Sequence, residues 1–423
     1  MKRILLLMTT SSYRAQAFLE AAERVGVAAV VGSEREQALA SANPGGNLTL
    51  DFADPEASAR RVAAFAADRP LDAVLAADDD GVPLAAWAAA ALGLRHPSPD
   101  SVRAARSKRV FRDRLATAGL PSPRYLEVGL DEDPVVLAHR AFYPCVLKPL
   151  SLSASRGVIR ADDERSFVAA FRRIHALLAR LTDASGVPDS SRSILVEEYL
   201  PGREIALEGL VTDGCLRTLA VFDKPDPLEG PYFEETIYVT PSRLPGNVQE
   251  AAQEQVQAAL AAIGLATGPV HAELRVNERG VFALEIAPRS IGGLCSRALR
   301  FDGDASLEEL ILRHAVGDDV RRIERERAAS GVMMLPIPGA GVLRGVRGRD
   351  EALRIAGIED VRVTIPVGQH VEPLPEGSRY LGFVFARAQT PELVEGALRA
   401  AHGRLLFDIE PEAAGLSAAT AGA

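Results

Sequence analysis

The first hundred residues alternate between short apolar runs and amphipathic stretches. Residues 2–8, KRILLLM, contain an unbroken apolar run that is typical of a strand covered on both faces. The elements that continue this alternation are strands at 27–31, 48–52 and 71–77 and helices at 15–25, 55–68 and 83–92. Such alternation predicts an open parallel α/β sheet. The first turn has no G-x-G-x-x-G motif, so the dinucleotide-binding fingerprint is missing there.

Residues 98–118 carry either one long helical pattern or two shorter ones. Ser98-Pro99 is typical of an N-cap followed by a first-turn proline, and Ser107 is a second candidate N-cap inside the pattern. The later elements are predicted as strands at 146–148, 194–197, 205–211, 218–222 and 269–287 and helices at 247–262 and 305–316. The charged residues 321–327 predict a surface helix or a linker. A smaller unit of short strands is predicted at 331–410, closing with a helix at 391–402, and the tail 413–423 is predicted to be disordered.

Composition narrows the class of protein. The chain has 423 residues, of which 47 % are hydrophobic and 25 % charged, and its net charge is −9. The length predicts about two to four domains. Because there is no basic stripe, a nucleic-acid partner is not expected. The longest apolar run, 84–94, is too short to span a bilayer, so no membrane partner is expected either.

The N-terminus and the cysteines together predict a cytoplasmic protein. The apolar run near the N-terminus is short, and no small-residue cleavage site follows it, so a first strand is favoured over a signal peptide. Cys145, Cys215 and Cys295 are widely spaced and form no metal-ligand pair. Reduced thiols are therefore expected.

A lysine at the end of an apolar strand is followed by a loop of small residues. Lys148 ends the strand, and the loop has the sequence SLSASRG. In such a loop, backbone N–H groups can approach phosphate oxygens while the lysine supplies a point charge. The alternative is a flexible hairpin loop beside a surface lysine. The loop residues in the phosphate-binding hypothesis are Ser151, Ser153, Ser155 and Gly157.

The strand predicted at 194–197 runs into a turn with acidic side chains at two points. The residues concerned are Glu197, Glu198, Tyr199 and Leu200, followed by Glu204. The backbone of this turn suits the edge of an adenine ring, and a carboxylate suits ribose hydroxyl groups. The alternative is an ordinary strand with a charged edge.

Two segments of alternating residues, HAELRV and VFALEI, predict a β-hairpin. If the loop has three residues and ends at Gly280, Asn277 pairs with Val281 and Glu273 lies directly opposite Glu285. Like charges in that position destabilise a sheet, whereas a divalent cation between them removes the conflict, and carboxylate oxygens suit Mg²⁺. The alternative is a two-residue turn, which would put the two glutamates on opposite faces.

Arg289 follows this hairpin in a turn rich in proline and glycine. An arginine beside a metal site suits a phosphate or an oxyanion, and the alternative is a salt bridge to one of the two glutamates. His271 should share a face with Glu273, but a core histidine is equally compatible with the pattern. The acidic run DDD at 78–80 ends a strand, where it faces a ligand crevice or forms a solvated loop. The further candidates for substrate contacts are Gly292, Gly293 and, in or beside the turn-like segment GPYF, Glu234 or Glu235, which suit a substrate ammonium unless they belong to a surface loop.

Taken in order, these motifs resemble the ATP-grasp superfamily across nearly the whole chain. A Leu-Gly-Leu segment, a lysine-bearing helix and the sequence AGLPSP add to the resemblance, with Lys108 as the first phosphate-binding lysine. The resemblance implies ATP as the nucleotide and Mg²⁺, or Mn²⁺ in its place, as the metal. The roles that it implies are Lys108, Lys148 and residues 151–157 for phosphate, residues 197–200 for adenine, Glu204 for ribose, Glu273 and Glu285 for the metal, and Arg289 for the acyl phosphate.

The resemblance also implies a division of the chain. It consists of a Rossmann-like N-terminal domain at 1–97, an ATP-grasp α+β domain at 98–320 with a lid at about 123–200, and a small β-rich domain at 331–410. The segments MLPIPGAGVLRGVRG, IPVGQHVEPLPEG and YLGFVFARAQTPELVEGALRAAHGRLLF resemble the C-terminal domain of bacterial L-amino acid ligases. One departure is Ala287, where many family members carry an asparagine at the metal. The phosphate loop is rich in serine rather than glycine.

The activity implied is an ATP-dependent carboxylate–amine ligation. A small carboxylate, expected to be an amino acid, is activated as an acyl phosphate and joined to an amine, with ADP and phosphate as products. The partners expected are therefore small molecules, with the chain acting as a monomer or a homodimer. Two alternatives remain: another ATP-grasp reaction, such as carboxylation or ligation in purine synthesis, and a nucleotide-binding subunit without turnover.

Overall fold

The computed structural model describes residues 1–36, 45–150, 152–185 and 192–411. They form two compact units. The first consists of Met1–Ser122, Ile205–Phe222 and Ser242–Arg327, and the second of Pro123–Glu204, Asp223–Pro241 and Ala328–Ala423. Among the described residues, no helix has both the length and the apolar character needed to cross a membrane.

The elements of the first half of the chain are, in order, β1 (Arg3–Leu7), α1 (Ala15–Val25), β2 (Ala28–Ser33), β3 (Asn47–Thr49), α2 (Pro55–Asp68), β4 (Ala73–Ala76), α3 (Val82–Leu92), α4 (Pro99–Arg106), α5 (Lys108–Thr117), β5 (Tyr125–Gly129), α6 (Pro134–Arg140), β6 (Cys145–Pro149), β7 (Ile159–Ala161), α7 (Glu164–Ser185) and β8 (Ser193–Glu198). Those of the second half are β9 (Arg203–Thr212), β10 (Cys215–Asp223), β11 (Ile237–Thr240), α8 (Gly246–Ile263), β12 (Gly268–Asn277), β13 (Gly280–Ala287), α9 (Leu307–Ala315), β14 (Ala329–Leu335), β15 (Gly341–Arg347), α10 (Arg349–Leu353), β16 (Ile358–Val363), β17 (His370–Val371), β18 (Gly382–Ala388), α11 (Pro391–His402) and β19 (Leu406–Glu410).

The N-terminal part of the first unit is an open parallel sheet, as the apolar alternation predicts. Its strand order is β3-β2-β1-β4, and every pairing is parallel. β1 is central, and its residues Ile4–Leu7 are fully buried, because α2 and α3 pack on the sheet beside it. The Ala-rich α3 is buried along most of its length, which explains its continuous apolar sequence.

Residues 98–118 form two helices rather than one. Ser98 caps α4 by accepting from the Ser101 N–H at 3.1 Å. Ser107 adopts an extended conformation that ends α4, and its hydroxyl accepts from the Val110 N–H at 3.3 Å to begin α5. The second N-cap is therefore used, and it makes Lys108 the first residue of a helix.

The second part of the first unit contains strands in the order β13-β12-β9-β10, with α5 and α8 packed on one face. In the second unit, a small antiparallel sheet of order β5-β8-β6-β7 is covered by α6 and α7. There Asp223 pairs with Val239 of β11, and the strands β11-β14-β18-β16 follow one another in that order with α11 packed on them.

Two predictions for the C-terminal region need correction. Residues 331–410 do not close with the helix at 391–402, because β19 follows α11 and pairs with β15. Residues 321–327 form turns and a bridge rather than a surface helix, so that the linker alternative holds. The predicted disorder at 413–423 lies outside the described residues.

The β12–β13 hairpin has a shorter loop than predicted. Asn277 pairs with Gly280 instead of Val281, so the turn has two residues. With regular pairing this turn would put Glu273 and Glu285 on opposite faces. The register shifts between Glu273 and its neighbour, however, and this β-bulge restores Glu273 directly opposite Glu285. The predicted loop was wrong, but the predicted opposition of the two glutamates is confirmed.

A buried arginine holds this bulge in place. Arg112 lies on α5 and is only 2 % exposed. Its two terminal nitrogens donate to the carbonyl oxygens of Ala283 and Leu284 at 2.9 and 2.8 Å. Leu284 is the extra residue of the bulge, since Leu274 pairs with Ala283 and Glu273 with Glu285. Helix α5 therefore fixes the side on which Glu285 projects.

Arg112→Met should lower the free energy of unfolding by about 2–4 kcal/mol, because two buried carbonyl groups lose a charged donor. Arg112→Lys should recover only part of this, since one ammonium cannot reproduce the fork of the guanidinium. Urea unfolding measures the effect. Arg114→Met is the matched control on the same helix: Arg114 is 41 % exposed and pairs with Asp100 at the surface, and such a pair contributes about 1 kcal/mol at most. Equal effects of Arg112→Met and Arg114→Met would contradict the role given to Arg112.

Candidate active site

In the second unit, Lys148 and Glu197 form a close ion pair. The Lys148 Nζ lies 2.5 Å from a Glu197 carboxylate oxygen, across the neighbouring strands β6 and β8. The side chains are 16 % and 2 % exposed, respectively. Glu197 is thus a buried partner that fixes the Lys148 ammonium near the end of β6. The sequence predicted both residues for the site but assigned Glu197 to the adenine hinge rather than to this lysine.

In the hinge after β8, two backbone N–H groups are paired within the protein and one is available. The N–H groups of Glu198 and Tyr199 donate to the carbonyl oxygens of Arg124 and Pro144 at 2.8 and 3.0 Å. Leu200 is the hinge residue whose N–H finds no partner in the described part of the chain. Next to the hinge is an apolar cluster, which consists of Val146, Val158, Tyr199, Leu228 and Phe233. An apolar wall beside an available hinge amide suits the face and edge of a purine ring.

A buried lysine that sequence reasoning missed lies beside Glu204. The Lys224 side chain is 3 % exposed, and its Nζ donates to Glu204 at 2.8 Å and also to Glu235. Glu235 in turn accepts from the Tyr238 hydroxyl at 2.8 Å. Lys224 directly follows the apolar strand β10, a pattern similar to the one that identified Lys148, so the signal was present in the sequence.

The two candidates for binding a substrate ammonium differ in structure. Glu235 already has an ammonium partner in Lys224. Within the described ranges, no cation lies at ion-pair distance from Glu234, which is half-buried. Burial raises the pKa of Glu234, as expected for a carboxylate with no cation beside it. Glu234 is therefore the better candidate of the two.

The phosphate loop is folded through its own backbone. The N–H groups of Arg156 and Val158 donate to the carbonyl oxygens of Ser153 and Ser155 at 3.2 and 3.1 Å. Gly157 has a φ of +71°, and its N–H donates to the Pro375 carbonyl at 2.8 Å. The Gly157 amide is therefore paired within the protein and does not face a phosphate in this arrangement. Ser151 lies outside the described residues.

In the first unit, His271 is held between two carboxylates. Its Nδ1 lies 3.0 Å from Glu208 and its Nε2 lies 3.7 Å from Glu273. Burial alone would lower the pKa of His271, but hydrogen bonds to these two carboxylates raise it to about 9. Glu208 also accepts from the Ile291 N–H at 3.0 Å. His271 thus shares a face with Glu273, as one alternative predicted, and it is buried as well.

Arg289 has a partner that the sequence did not predict. Its Nε and one terminal nitrogen each lie 2.8 Å from the carboxylate oxygens of Asp79. The predicted alternative was a salt bridge to Glu273 or Glu285. Burial opposes both charges, yet the pair lowers the pKa of Asp79 and raises that of Arg289. The acidic run at 78–80 is therefore partly an internal counter-charge and not merely a solvated loop.

The first unit also contains Lys108, the two glycines after Arg289, Ala287 and the opposed glutamates. Lys108 begins α5, where the positive end of the helix dipole adds to its own charge and favours an anion. Gly292 and Gly293 follow Arg289 in the turn, with Gly293 at a φ of +62°. Ala287, which stands where an asparagine was expected, pairs with His271 across the hairpin. The carboxylates of Glu273 and Glu285 are opposed on adjacent strands, and hard oxygen ligands of this kind fit Mg²⁺.

Family models match three successive parts of the chain. An ATP-grasp N-terminal domain matches residues 19–96, an ATP-grasp domain matches residues 141–298, and the L-amino acid ligase C-terminal domain 2 matches residues 333–410. The C-terminal match distinguishes this chain from ATP-grasp proteins in general.

Curated relatives include named ligases. The chain is 28 % identical over 214 residues to alanine–anticapsin ligase of Bacillus subtilis, covering 48 % of this chain and 44 % of the relative. It is 29 % identical over 282 residues to dapdiamide A synthase of Enterobacter agglomerans, covering 64 % of each. The matched regions span less than two thirds of the length of these relatives.

A solved structure is similar over almost the whole chain. The L-amino acid ligase from Bacillus licheniformis aligns with a TM-score of 0.78 and 23 % identity, covering 97 % of this chain and 99 % of that one. At this identity the likeness establishes the fold. Residues 141–298 thus match an ATP-grasp domain and residues 333–410 an L-amino acid ligase C-terminal domain, and the chain has the fold of the Bacillus licheniformis ligase.

Proposed function

We propose that this protein is an ATP-dependent carboxylate–amine ligase that joins an amino acid, or a closely related acid, to an amine. The observation that carries the proposal is the opposition of Glu273 and Glu285 across a bulged hairpin, with Arg289 following in the next turn. The match of residues 333–410 to the L-amino acid ligase domain supports an amino acid as substrate. The name of one relative, alanine–anticapsin ligase, also describes the joining of an amino acid to a second compound.

The chemistry follows from the weakness of a carboxylate as an electrophile. In the proposed reaction, a carboxylate oxygen of the acid attacks the γ-phosphorus of ATP, and ADP leaves. The amine nitrogen then attacks the acyl carbon, inorganic phosphate leaves, and the amine loses a proton. Lys148 and Lys108 supply positive charge where phosphate oxygens gain negative charge, so the protein contributes mainly position and electrostatics.

The opposed glutamates give the metal a place in this scheme. Glu273 and Glu285 would hold Mg²⁺, or Mn²⁺ in its place, which neutralises phosphate oxygens when bound. The protein's own contribution is the bulge, held by Arg112, that brings both carboxylates to one side. Glu208 and His271 maintain the orientation of the neighbouring strand through their hydrogen bond.

The remaining roles concern the reacting carbonyl and the amine. Arg289 suits the oxyanion that develops when the amine attacks, because contacts with Asp79 and the Ser290 carbonyl orient its guanidinium while each terminal nitrogen keeps a second N–H. Glu234 suits the ammonium of a substrate. The lid at about 123–200 would exclude water from the acyl phosphate.

The decisive experiment is a phosphate-release screen of amino acids and other small acids in pairs, with MgATP and mass detection of the products. A product whose mass equals the two substrates minus water supports the proposal. Phosphate release stimulated by bicarbonate rather than by amino acids would indicate a carboxylation. ATP binding without phosphate release across a broad panel would indicate a nucleotide-binding subunit without turnover.

Lys148→Met should weaken ATP binding roughly tenfold or more, because a charge-assisted contact to phosphate is lost at a strand end. Lys148→Met combined with Glu197→Gln avoids leaving the buried Glu197 carboxylate without its ammonium partner. Calorimetric titration with ATP measures the change. Lys2→Met removes a surface lysine that pairs with Asp318 and should bind ATP like the parent. Unchanged ATP affinity in folded Lys148→Met would contradict the assignment.

Arg289→Met should bind ATP nearly as well as the parent but lose on the order of 100- to 1,000-fold in turnover, because its contact strengthens in the transition state. Since the substitution strands Asp79 without a partner, Arg289→Met combined with Asp79→Asn provides a variant without the unpaired charge. Lysine should rescue poorly. Steady-state kinetics decide the point: if both variants keep more than about a tenth of parental turnover, Arg289 is structural.

Glu234→Gln should raise the KM for the amine substrate about tenfold with little change in kcat, because one charged contact is lost. As the pKa of Glu234 is raised by burial, the parental KM should also increase on the acid side, where this carboxylate becomes protonated, while that of the variant stays flat. Kinetics at several pH values measure both effects. Glu229→Gln, at an exposed position of the same segment, is the control. An effect confined to Glu235→Gln would transfer the role to Glu235.

A further inference from the structure

A segment of the C-terminal region is bonded directly to the phosphate loop. The Gly157 N–H donates to the Pro375 carbonyl at 2.8 Å, and the Arg156 Nε donates to the Glu376 carbonyl at 2.6 Å. The two acceptors are adjacent, so residues 375–376 pair with residues 156–157 through consecutive groups. All of these residues belong to the second unit.

An ion pair reinforces this contact from the neighbouring helix. On α7, Arg173 donates from its Nε and one terminal nitrogen to the two carboxylate oxygens of Glu376, at 2.5 and 2.8 Å. The Glu376 side chain is 19 % exposed. Although burial raises the pKa of Glu376, the hydrogen bonds from Arg173 lower it overall. A bidentate, half-buried pair has more orienting power than a single exposed contact.

Arg173 also reaches the segment that carries the candidate ammonium site. It donates to the Tyr232 hydroxyl and lies over the Tyr232 ring, 5.1 Å from the centroid. Tyr232 forms a bridge with Ile159, just after the phosphate loop. Arg173 therefore connects Glu376 of the C-terminal segment with Tyr232. Through its bridge to Ile159, Tyr232 in turn connects the segment of the candidate ammonium site with the end of the phosphate loop.

Gly157 and Gly377, which lie on the two sides of this contact, have no room for a side chain. At Gly157, an added Cβ would collide with the side chains of Pro149 and Leu177, and the positive φ disfavours other residues. At Gly377, an added Cβ would overlap the Glu372 carbonyl, because the segment turns back through the Gly377 N–H to the Pro373 carbonyl at 2.8 Å. The contact is therefore defined by geometry as well as by charge.

We propose that Glu376 and Arg173 are positioning residues that hold the phosphate loop in a preformed conformation, so that nucleotide affinity depends on the C-terminal segment 372–377. The proposal rests on the proposed function, since it takes residues 152–157 as the loop that binds phosphate. Ordering a flexible loop costs backbone conformational entropy. A loop that is already ordered spares the nucleotide much of this cost on binding.

The first test needs no nucleotide. Trypsin cleaves after arginine, and the Arg156–Gly157 peptide lies within the bonded loop. Glu376→Ala and Arg173→Ala should increase the cleavage rate at this bond by roughly 3- to 10-fold, the equivalent of losing a half-buried ion pair. The Arg279–Gly280 bond, in the exposed hairpin turn, is the internal reference and should be cleaved at an unchanged rate. Arg344→Gln, which breaks the exposed pair with Glu410 in the same unit, is the control variant.

The second test measures MgADP affinity by calorimetry. Glu376→Ala and Arg173→Ala should each weaken binding by roughly 3- to 10-fold, whereas Arg344→Gln should not. Arg173→Glu combined with Glu376→Arg should recover much of both the protection and the affinity, which a merely destabilised fold would not do. Unchanged cleavage at Arg156–Gly157 overturns the proposal, and so does faster cleavage with unchanged MgADP affinity.

The two proposals fail in different ways. If the protein binds MgADP but releases no phosphate with any substrate pair, the ligase assignment fails while both tests of Glu376 and Arg173 remain valid. If phosphate release and product formation are normal but the Glu376 and Arg173 variants match the parent in cleavage and affinity, only the positioning role is excluded.

Discussion

The β-bulge in the β12–β13 hairpin is the constraint on which the proposed metal site of the first unit depends, because it sets Glu273 opposite Glu285. A two-residue turn with regular pairing would turn Glu285 away from Glu273, because side chains alternate between the faces of a strand. One extra residue reverses that alternation. At the bulge, the carbonyl oxygens of Ala283 and Leu284 need hydrogen-bond donors inside the protein, and Arg112 of α5 donates to both. The same helix, α5, begins with Lys108. The position of Lys108 and the orientation of Glu273 and Glu285 toward each other therefore both depend on how this one helix packs.

A second constraint is that three cations of the candidate site have carboxylate partners. Lys148 pairs with Glu197, Lys224 with Glu204, and Arg289 with Asp79. A buried charge without a partner is costly, so these pairs keep the side chains ordered in the absence of an anion. In the proposed function, phosphate groups would meet side chains that are already positioned, although each positive charge is partly neutralised. Preorganised charge of this kind favours the reacting state, in which the negative charge is greatest, more than simple binding.

Much of the fold follows from local pattern, and the failures have physical causes. The unbroken apolar run of β1 and the N-caps at Ser98 and Ser107 depend on nearby residues, and they are visible in the sequence. The hairpin loop was mispredicted because the bulge depends on Arg112, which lies about 170 residues away along the chain. For the same reason, the salt-bridge alternative for Arg289 named a hairpin glutamate rather than Asp79, since the Arg289–Asp79 contact spans 210 positions. Lys224 is different, because its strand-end pattern was present and was overlooked.

The pairing of the Gly157 amide changes how the phosphate loop should be understood. From the sequence, a loop of small residues is expected to let its backbone N–H groups approach phosphate oxygens. In the structure, one N–H and one arginine side chain are used to attach the loop to residues 375–376. Ser153 and Ser155 supply carbonyl oxygens for internal turns, and Ala154 and Ser155 adopt a positive φ of 55° as Gly157 does at 71°. The C-terminal region that resembles L-amino acid ligases therefore also contacts the phosphate loop directly. In the proposed function, nucleotide binding depends on that contact.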